Sequence, residues 1–189
     1  MAYLFYNDGI QTVIGQSSLF AQAELGMSTG QVMMVFLLIQ FIAFFGALAF
    51  GRAAGSFGAK RVILAGIGIW LVVVAAAFLV PSGSFGGFVA LGAAIGLVLG
   101  GTQALSRSLF SQLVPARREA EYFSLYQAME RGTSWSGTLV YGLAFQFAGS
   151  YRFSIIALVA FFLLGGLLLL RVDVRRGIHD AGNPQPKII

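Results

Sequence analysis

Residues 62–79 read VILAGIGIWLVVVAAAFL, a run in which the indole N–H of Trp70 is the only side-chain polar group. Lys60-Arg61 precedes the run and Pro81-Ser82-Gly83 follows it. About 20 apolar residues, rising 1.5 Å each, cover the hydrocarbon core of a bilayer. The run therefore reads as a membrane-crossing helix with a basic stop at one end and a turn at the other. The rest of the chain shares its bias. Of 189 residues, 58% are hydrophobic and 10% are charged, where soluble domains carry roughly a quarter charged residues. A soluble fold of this size would have to wear apolar side chains outside; lipid as solvent turns that into a requirement met. The 25 glycines and 18 phenylalanines fit the same class, since glycine lets membrane helices approach closely.

Five more segments have the length and character to span. They run roughly over Ala2–Ala23, Gly30–Phe50, Gly87–Leu113, Glu121–Ala148 and Phe153–Leu170. The first is the most polar. Ser28-Thr29 offers an N-cap to the second, and the fourth stops before Pro115. The expected fold is an all-α membrane protein with six transmembrane helices over residues 1–171. Residues 172–189 then form a solvated cytoplasmic tail, with Arg171-Val172-Asp173-Val174-Arg175-Arg176 anchoring the sixth helix at the inner leaflet. The first segment begins almost at Met1, without a basic lead-in, as expected of a chain cut or started just before a membrane helix.

Charge orients the bundle. Of the 12 Lys and Arg, ten fall on one side of these segments, from Arg52, Lys60 and Arg61 through Arg107, Arg117 and Arg118 to the tail. Arg152 alone falls on the other side, and Arg131 lies inside the fifth segment. The positive-inside rule puts the crowded side, and both termini, in the cytoplasm, with a bacterial inner or plasma membrane expected. The net charge of +5 thus reads as topology and not as nucleic-acid binding. With no cysteine and one histidine, neither a thiolate metal site nor a zinc cluster is expected, and no cofactor. Ser134-Trp135-Ser136-Gly137 has the look of a serine-nucleophile turn. The chemistry needs a base beside the serine, and His179 sits in the tail, so no enzyme is expected.

Polar groups at membrane depth are costly and face a cavity or a partner. Three segments hold nearly all of them. The first carries Asn7 and Gln11 one turn apart, and Asp8 and Thr12 likewise. The fourth carries Thr102, Gln103, Ser106 and Arg107. The fifth carries Gln127, Glu130, Arg131 and Ser134. These three helices are expected to line a wet cavity, and the other three to face lipid. Arg107 and Glu130 have a second reading, snorkelling to the cytoplasmic surface. An Asp8–Arg107 pair would neutralise two buried charges. Gly92, Gly96 and Gly100 form a smooth ridge for close helix packing, and Gly165-Gly166 is expected as a packing or lipid-side kink.

Gly51-Arg52-Ala53-Ala54-Gly55-Ser56-Phe57-Gly58-Ala59-Lys60-Arg61 resembles the signature loop that follows the second helix of each half in the major facilitator superfamily. Gly51, Gly58, Lys60 and Arg61 match that pattern, while Gly55 and Ser56 stand at its acidic and basic positions. Three stretches resemble the vacuole-effluxer-like branch, which includes bacterial members and the fungal autophagy-related vacuolar amino-acid effluxer. They are residues 5–14 (FYNDGIQTVI), residues 101–110 (GTQALSRSLF), and Pro115 with Glu119-Ala120-Glu121-Tyr122-Phe123. They are similar to the seventh, tenth and eleventh helices of a twelve-helix protein; Gly137-Thr138 stands where the family has Gly-Pro. The resemblance implies the carboxy-terminal six-helix half of a major facilitator fold, a 3+3 inverted repeat. Asn7, Asp8, Gln103 and Arg107 carry over as matched positions.

The function this implies is half of a secondary transporter working by alternating access on a small polar solute such as an amino acid. Asp8 or Glu130 would carry a coupling proton, and Asp8/Glu130 facing Arg107/Arg131 would suit a zwitterion. The expected partners are the bilayer, the solute, and an amino-terminal six-helix half or a second copy of the chain. The competing reading is a non-transporting interaction subunit, or the inactive remnant of a split transporter gene.

Overall fold

The computed structural model describes residues 1–186, with the side chains of residues 129 and 131–134 set aside. Its order is α1 (Ala2–Ala23), α2 (Thr29–Phe57), α3 (Ala59–Leu79), α4 (Phe85–Gln112), α5 (Glu119–Ala148), α6 (Tyr151–Ala157), α7 (Val159–Arg171) and α8 (Val174–Asp180). No strand occurs among the described residues. By length and composition, four spans suffice to cross a membrane: α2, α3, α4 and the α6–α7 pair over Tyr151–Arg171. At 22 and 30 residues, α1 and α5 are long enough but too polar to meet the same standard.

Local chemistry sets most boundaries. Ser28 caps α2 with a full capping box: its hydroxyl accepts from the Gln31 N–H, and the Gln31 side chain accepts from the Ser28 N–H at 2.9 Å. Ser84 and Ser150 cap α4 and α6 by accepting N–H bonds two or three residues on. Gly149 ends α5 in the left-handed region, φ +67°.

The signature stretch is not a loop. α2 continues through Gly51, Arg52 and Gly55 to Phe57, and only Gly58, at φ +89°, separates it from α3. No side chain but hydrogen adopts that φ cheaply, so one residue turns the chain. The last span also departs from an unbroken helix. The ladder tightens at Leu158, whose N–H reaches the Ile155 carbonyl (3.1 Å) and whose carbonyl takes the Phe161 N–H (3.0 Å). Gly165-Gly166 lies within α7 and does not face lipid. Both glycines are buried, and a Cβ on Gly165 would sit 2.7 Å from the Tyr6 backbone nitrogen. Gly165 is the point where α7 lies against α1.

The most extensive contact is α2 against α4. The glycine ridge does what its spacing predicts. A Cβ on Gly96 would meet the Ile39 carbonyl at 2.8 Å, one on Gly100 would overlap the Ala43 carbonyl, and one on Gly46 would overlap the Leu97 carbonyl. Backbone therefore meets backbone across this seam from both sides. α3 packs on α4 and α7, with Trp70 stacked on Phe162 at 5.6 Å. Outward, α2 presents Met33, Met34, Leu37, Phe41, Phe44 and Phe45, all exposed, and α7 presents Leu163, Leu164, Leu167 and Leu170. In water these faces would be a large liability; against lipid they are the natural exterior.

The tail is not simply solvated. α8 buries Val174 and Ile178 and brings Gly177 against Leu113. Asn183 donates from Nδ2 to the Gln112 and Val114 carbonyls (3.0 and 2.7 Å), past the end of α4. Lys60 donates from Nζ to the Leu170 and Val172 carbonyls (2.9 and 2.7 Å), at the end of α7. A cation at a helix C-terminus also meets the negative end of its dipole. The basic stop before the third segment is thus in part a latch, the Lys60 amine being bound to protein. A cavity of about 480 Å³ opens beside it, lined by Gly51, Gly55, Lys60, Ser108, Gln112 and Pro186 among others.

Candidate functional site

The buried polar side chains concentrate where α1 meets α4 and α5. Asn7, Asp8 and Thr12 are 1%, 2% and 2% exposed. Asp8 Oδ2 accepts the backbone N–H of Gly137 at 3.0 Å and a short hydrogen bond from the Ser136 hydroxyl, both on α5. Gly137 permits this approach: a Cβ there would overlap Thr12 Oγ1 and stand 3.0 Å from Asp8 Oδ1. Three buried oxygens of the group, Asp8 Oδ1, Thr12 Oγ1 and Asn7 Oδ1, have no hydrogen-bond partner among the described residues. Buried polar atoms are rarely left so, and each such atom calls for an explanation.

Toward α4, the Tyr6 hydroxyl lies 2.7 Å from Ser106 Oγ. Ser106 gives its own proton to the Thr102 carbonyl at 2.6 Å, so Tyr6 is the donor. Nearer the basic end of the bundle, Arg107 of α4 and Glu130 of α5 pair at 3.9 Å; Arg107 is 60% exposed and Glu130 13%. An aromatic wall adjoins them. Tyr3 stacks on Tyr126 at 4.5 Å, and Phe110 leans on Tyr126 at 4.7 Å.

The sequence brought α1, α4 and α5 together as the polar helices, and polar contacts do join all three. The partners differ from those foreseen. Asp8 is not paired with Arg107: it takes two α5 hydrogen bonds, while Arg107 turns to Glu130. Asn7 and Asp8 are enclosed, not open to a wide cavity. Gln11 and Gln103 are half-buried and Gln127 is exposed. The side chains of Arg131 and Ser134 lie outside the described residues. In the Ser134–Gly137 turn, the Ser136 hydroxyl is given to Asp8, while His179 lies on α8 beside Asp180 at 3.6 Å.

One polar assembly escaped the sequence reading. At the end opposite the basic one, Glu24 Oε1 accepts from the Ser150 hydroxyl (2.9 Å) and the Tyr151 N–H (2.7 Å), and Oε2 faces Arg152 at 3.5 Å. Arg152 also donates to the Phe78 carbonyl, and Ser82 to the Glu24 carbonyl. The ends of α1 and α3 and the starts of α4 and α6 are thereby fastened together. The signal was present: Arg152 is the lone cation of that side, and Glu24 closes the first apolar segment.

Comparisons with known proteins follow the same lines. The family model described as vacuole effluxer Atg22 like matches residues 1–182. A Bacillus subtilis protein named as an MFS-type transporter, YxiO, is 29% identical over 169 residues, covering 89% of this chain and 39% of its own length. Autophagy-related protein 22-1 of Aspergillus niger is 31% identical over 193 residues, 95% of this chain and 31% of its own length. Autophagy-related protein 22 of Coccidioides immitis is 31% identical, with 95% and 32% covered. The chain spans about a third of the length of the curated relatives it matches. No solved structure matches it.

Proposed function

The chain belongs to the vacuole effluxer Atg22-like family of major facilitator transporters, and from that premise we propose that it is a six-helix half of a secondary transporter. The half would move a small polar solute such as an amino acid by alternating access, paired with an amino-terminal six-helix half or a second copy.

The pattern of helix contacts supports the 3+3 reading. An inverted repeat exchanges α1 with α4, α2 with α5, and α3 with the α6–α7 span. Under that exchange α2 on α4 becomes α5 on α1, α3 on α4 becomes α7 on α1, and α2 on α3 becomes α5 on α6. Each of these contacts is present. In this reading α1 and α5 cross the membrane with the four more apolar spans, and the basic end faces the cytoplasm.

The observation that carries the transport reading is the concentration of buried Asn7, Asp8 and Thr12 with the Arg107–Glu130 pair on one side of an otherwise apolar bundle. Ionisable groups inside a membrane mark solute and ion pathways, and the Glu130 carboxylate beside the exposed Arg107 guanidinium suits a zwitterion. Asp8 or Glu130 would carry a coupling proton. Counterflow of labelled amino acids in proteoliposomes tests this, with the chain alone and with an amino-terminal half of a relative. Exchange that Asp8→Asn and Glu130→Gln each reduce by about tenfold or more is expected. No exchange in either arrangement would leave a non-transporting subunit as the better account.

A further inference from the structure

We infer that the crevice where the start of α3 meets the end of α7 and α8 binds the phosphate headgroup of an anionic phospholipid, held by Arg171, Arg175 and Lys60. This site shares no residue with Asp8 or the Arg107–Glu130 pair, and it does not depend on transport.

Charge is the first observation. The crevice is a cavity of about 370 Å³ lined by Lys60, Leu170, Arg171, Asp173 and Arg175 among others. Three cations meet one carboxylate there, and that carboxylate is already engaged. Asp173 Oδ1 accepts the Arg176 N–H at 3.1 Å as the cap of α8. Arg171 and Arg175 are exposed, and neither belongs to an ion pair among the described residues. Arg176, one residue on, pairs with Asp180 and does not line the cavity.

Lys60 removes what would repel an anion. The Leu170 and Val172 carbonyls at the end of α7 present the negative end of that helix. The Lys60 amine takes both, at 2.9 and 2.7 Å, and spends two of its three N–H groups on them. The carbonyls are thereby covered by a cation that keeps one donor.

Depth favours a lipid over a soluble anion. The cavity sits where a spanning helix leaves the membrane. Leu170 belongs both to its lining and to the exposed row Leu163, Leu167 and Leu170 of α7, whose spacing of four and three keeps it on one face. A phosphodiester on Arg171 and Arg175, two groups suited to bidentate phosphate binding, lets its acyl chains run down that face. A free phosphate would use the charges and leave the leucines without a part. General attraction of basic residues to an anionic surface treats Arg61, Arg171 and Arg175 alike. The crevice separates them: Arg61 is also exposed and outside any ion pair among the described residues, but it does not line the cavity.

Native mass spectrometry of the purified full chain in an uncharged detergent, titrated with phosphatidylglycerol, is the test. One saturably retained lipid per chain is expected, with phosphatidylcholine held about tenfold more weakly or worse. Arg171→Ala and Arg175→Ala should each weaken phosphatidylglycerol about tenfold, the scale of one hydrogen bond to a charged group. Arg61→Ala removes the same charge outside the crevice and should change retention less than about twofold, since salt screens a charge that is not in contact. Should one crevice variant fail to fold, the other still decides against Arg61→Ala. Equal losses from the Arg61 and crevice variants overturn the site in favour of general attraction. Equal retention of phosphatidylcholine overturns the anionic class, and displacement by equimolar inorganic phosphate overturns the lipid.

Discussion

Gly137 is where the smallest side chain makes the largest difference. A methyl group there would collide with Thr12 Oγ1, and overpacking at a rigid contact costs about 1–3 kcal/mol. Gly137→Ala should lower the thermal unfolding midpoint in detergent. Gly142→Ala, one to two turns further along α5 with nothing within 4 Å of its Cβ position, should leave it in place. An equal response from the two variants would mean that α1 does not lie against Gly137. Glu24 makes a second residue-scale case. Glu24→Ala removes the acceptor used by Ser150 and Tyr151 and should cost about 1.5–3 kcal/mol, the range for hydrogen bonds to charged groups. Glu24→Gln keeps an acceptor and loses only the facing charge of Arg152, a pair about one-fifth exposed; that loss should stay under about 1 kcal/mol. Chemical denaturation of the three proteins separates acceptor from charge.

Among the elements, the α2–α4 seam has the least room. Gly96→Val and Gly100→Leu would each push a side chain into a main-chain carbonyl of α2, which cannot swing aside as a side chain can. Each should cost about 3 kcal/mol and lower the yield of folded protein, while Gly86→Ala, open to space, should not. Size-exclusion profiles of the three variants check this. The seam was legible because glycines four apart on an apolar helix point to little else. Helix starts at Ser28 and Ser84 were legible or nearly so for the same kind of reason, a short polar side chain before an apolar run. Other features carry no local mark. The tightened turn at Leu158 has neither Gly nor Pro. The helical course of residues 51–57 goes against a glycine-rich composition, and of these residues only Ala53 and Ala54 pack against the core. The partners of Asp8 stand 128 and 129 residues away, a distance over which no periodicity speaks. Burial of α8 rests on two residues, Val174 and Ile178, too few to show against a charged tail.

For the molecule as a whole, the sidedness is open to direct measurement because the chain has no cysteine. Ala23→Cys and Ala116→Cys are exposed positions separated by α2, α3 and α4. Three crossings put them on opposite faces. A membrane-impermeant maleimide should label Ala23→Cys in intact cells and Ala116→Cys only after permeabilisation; labelling of both from one side would contradict an odd number of crossings between them. The two ends of the bundle are also built differently. The Glu24–Arg152 assembly fastens one end with side chains from α1 and the α5–α6 turn, and the other end is held by Lys60 and Asn183 on main-chain carbonyls.

Those basic-end bonds have a consequence for the order of synthesis. The amine of Lys60 leaves the ribosome 110 residues before the Leu170 carbonyl that it binds, and the Gln112 carbonyl waits 71 residues for Asn183. While translation continues, the α3 lysine and the last carbonyls of α4 have only water or lipid headgroups for company. The face closes once residues 170–183 have emerged and tie α3 to the end of α7 and α4 to the segment after α8. A nascent chain stalled before residue 170 would hold its first five helices yet leave the Lys60 amine and the last α4 carbonyls unlatched.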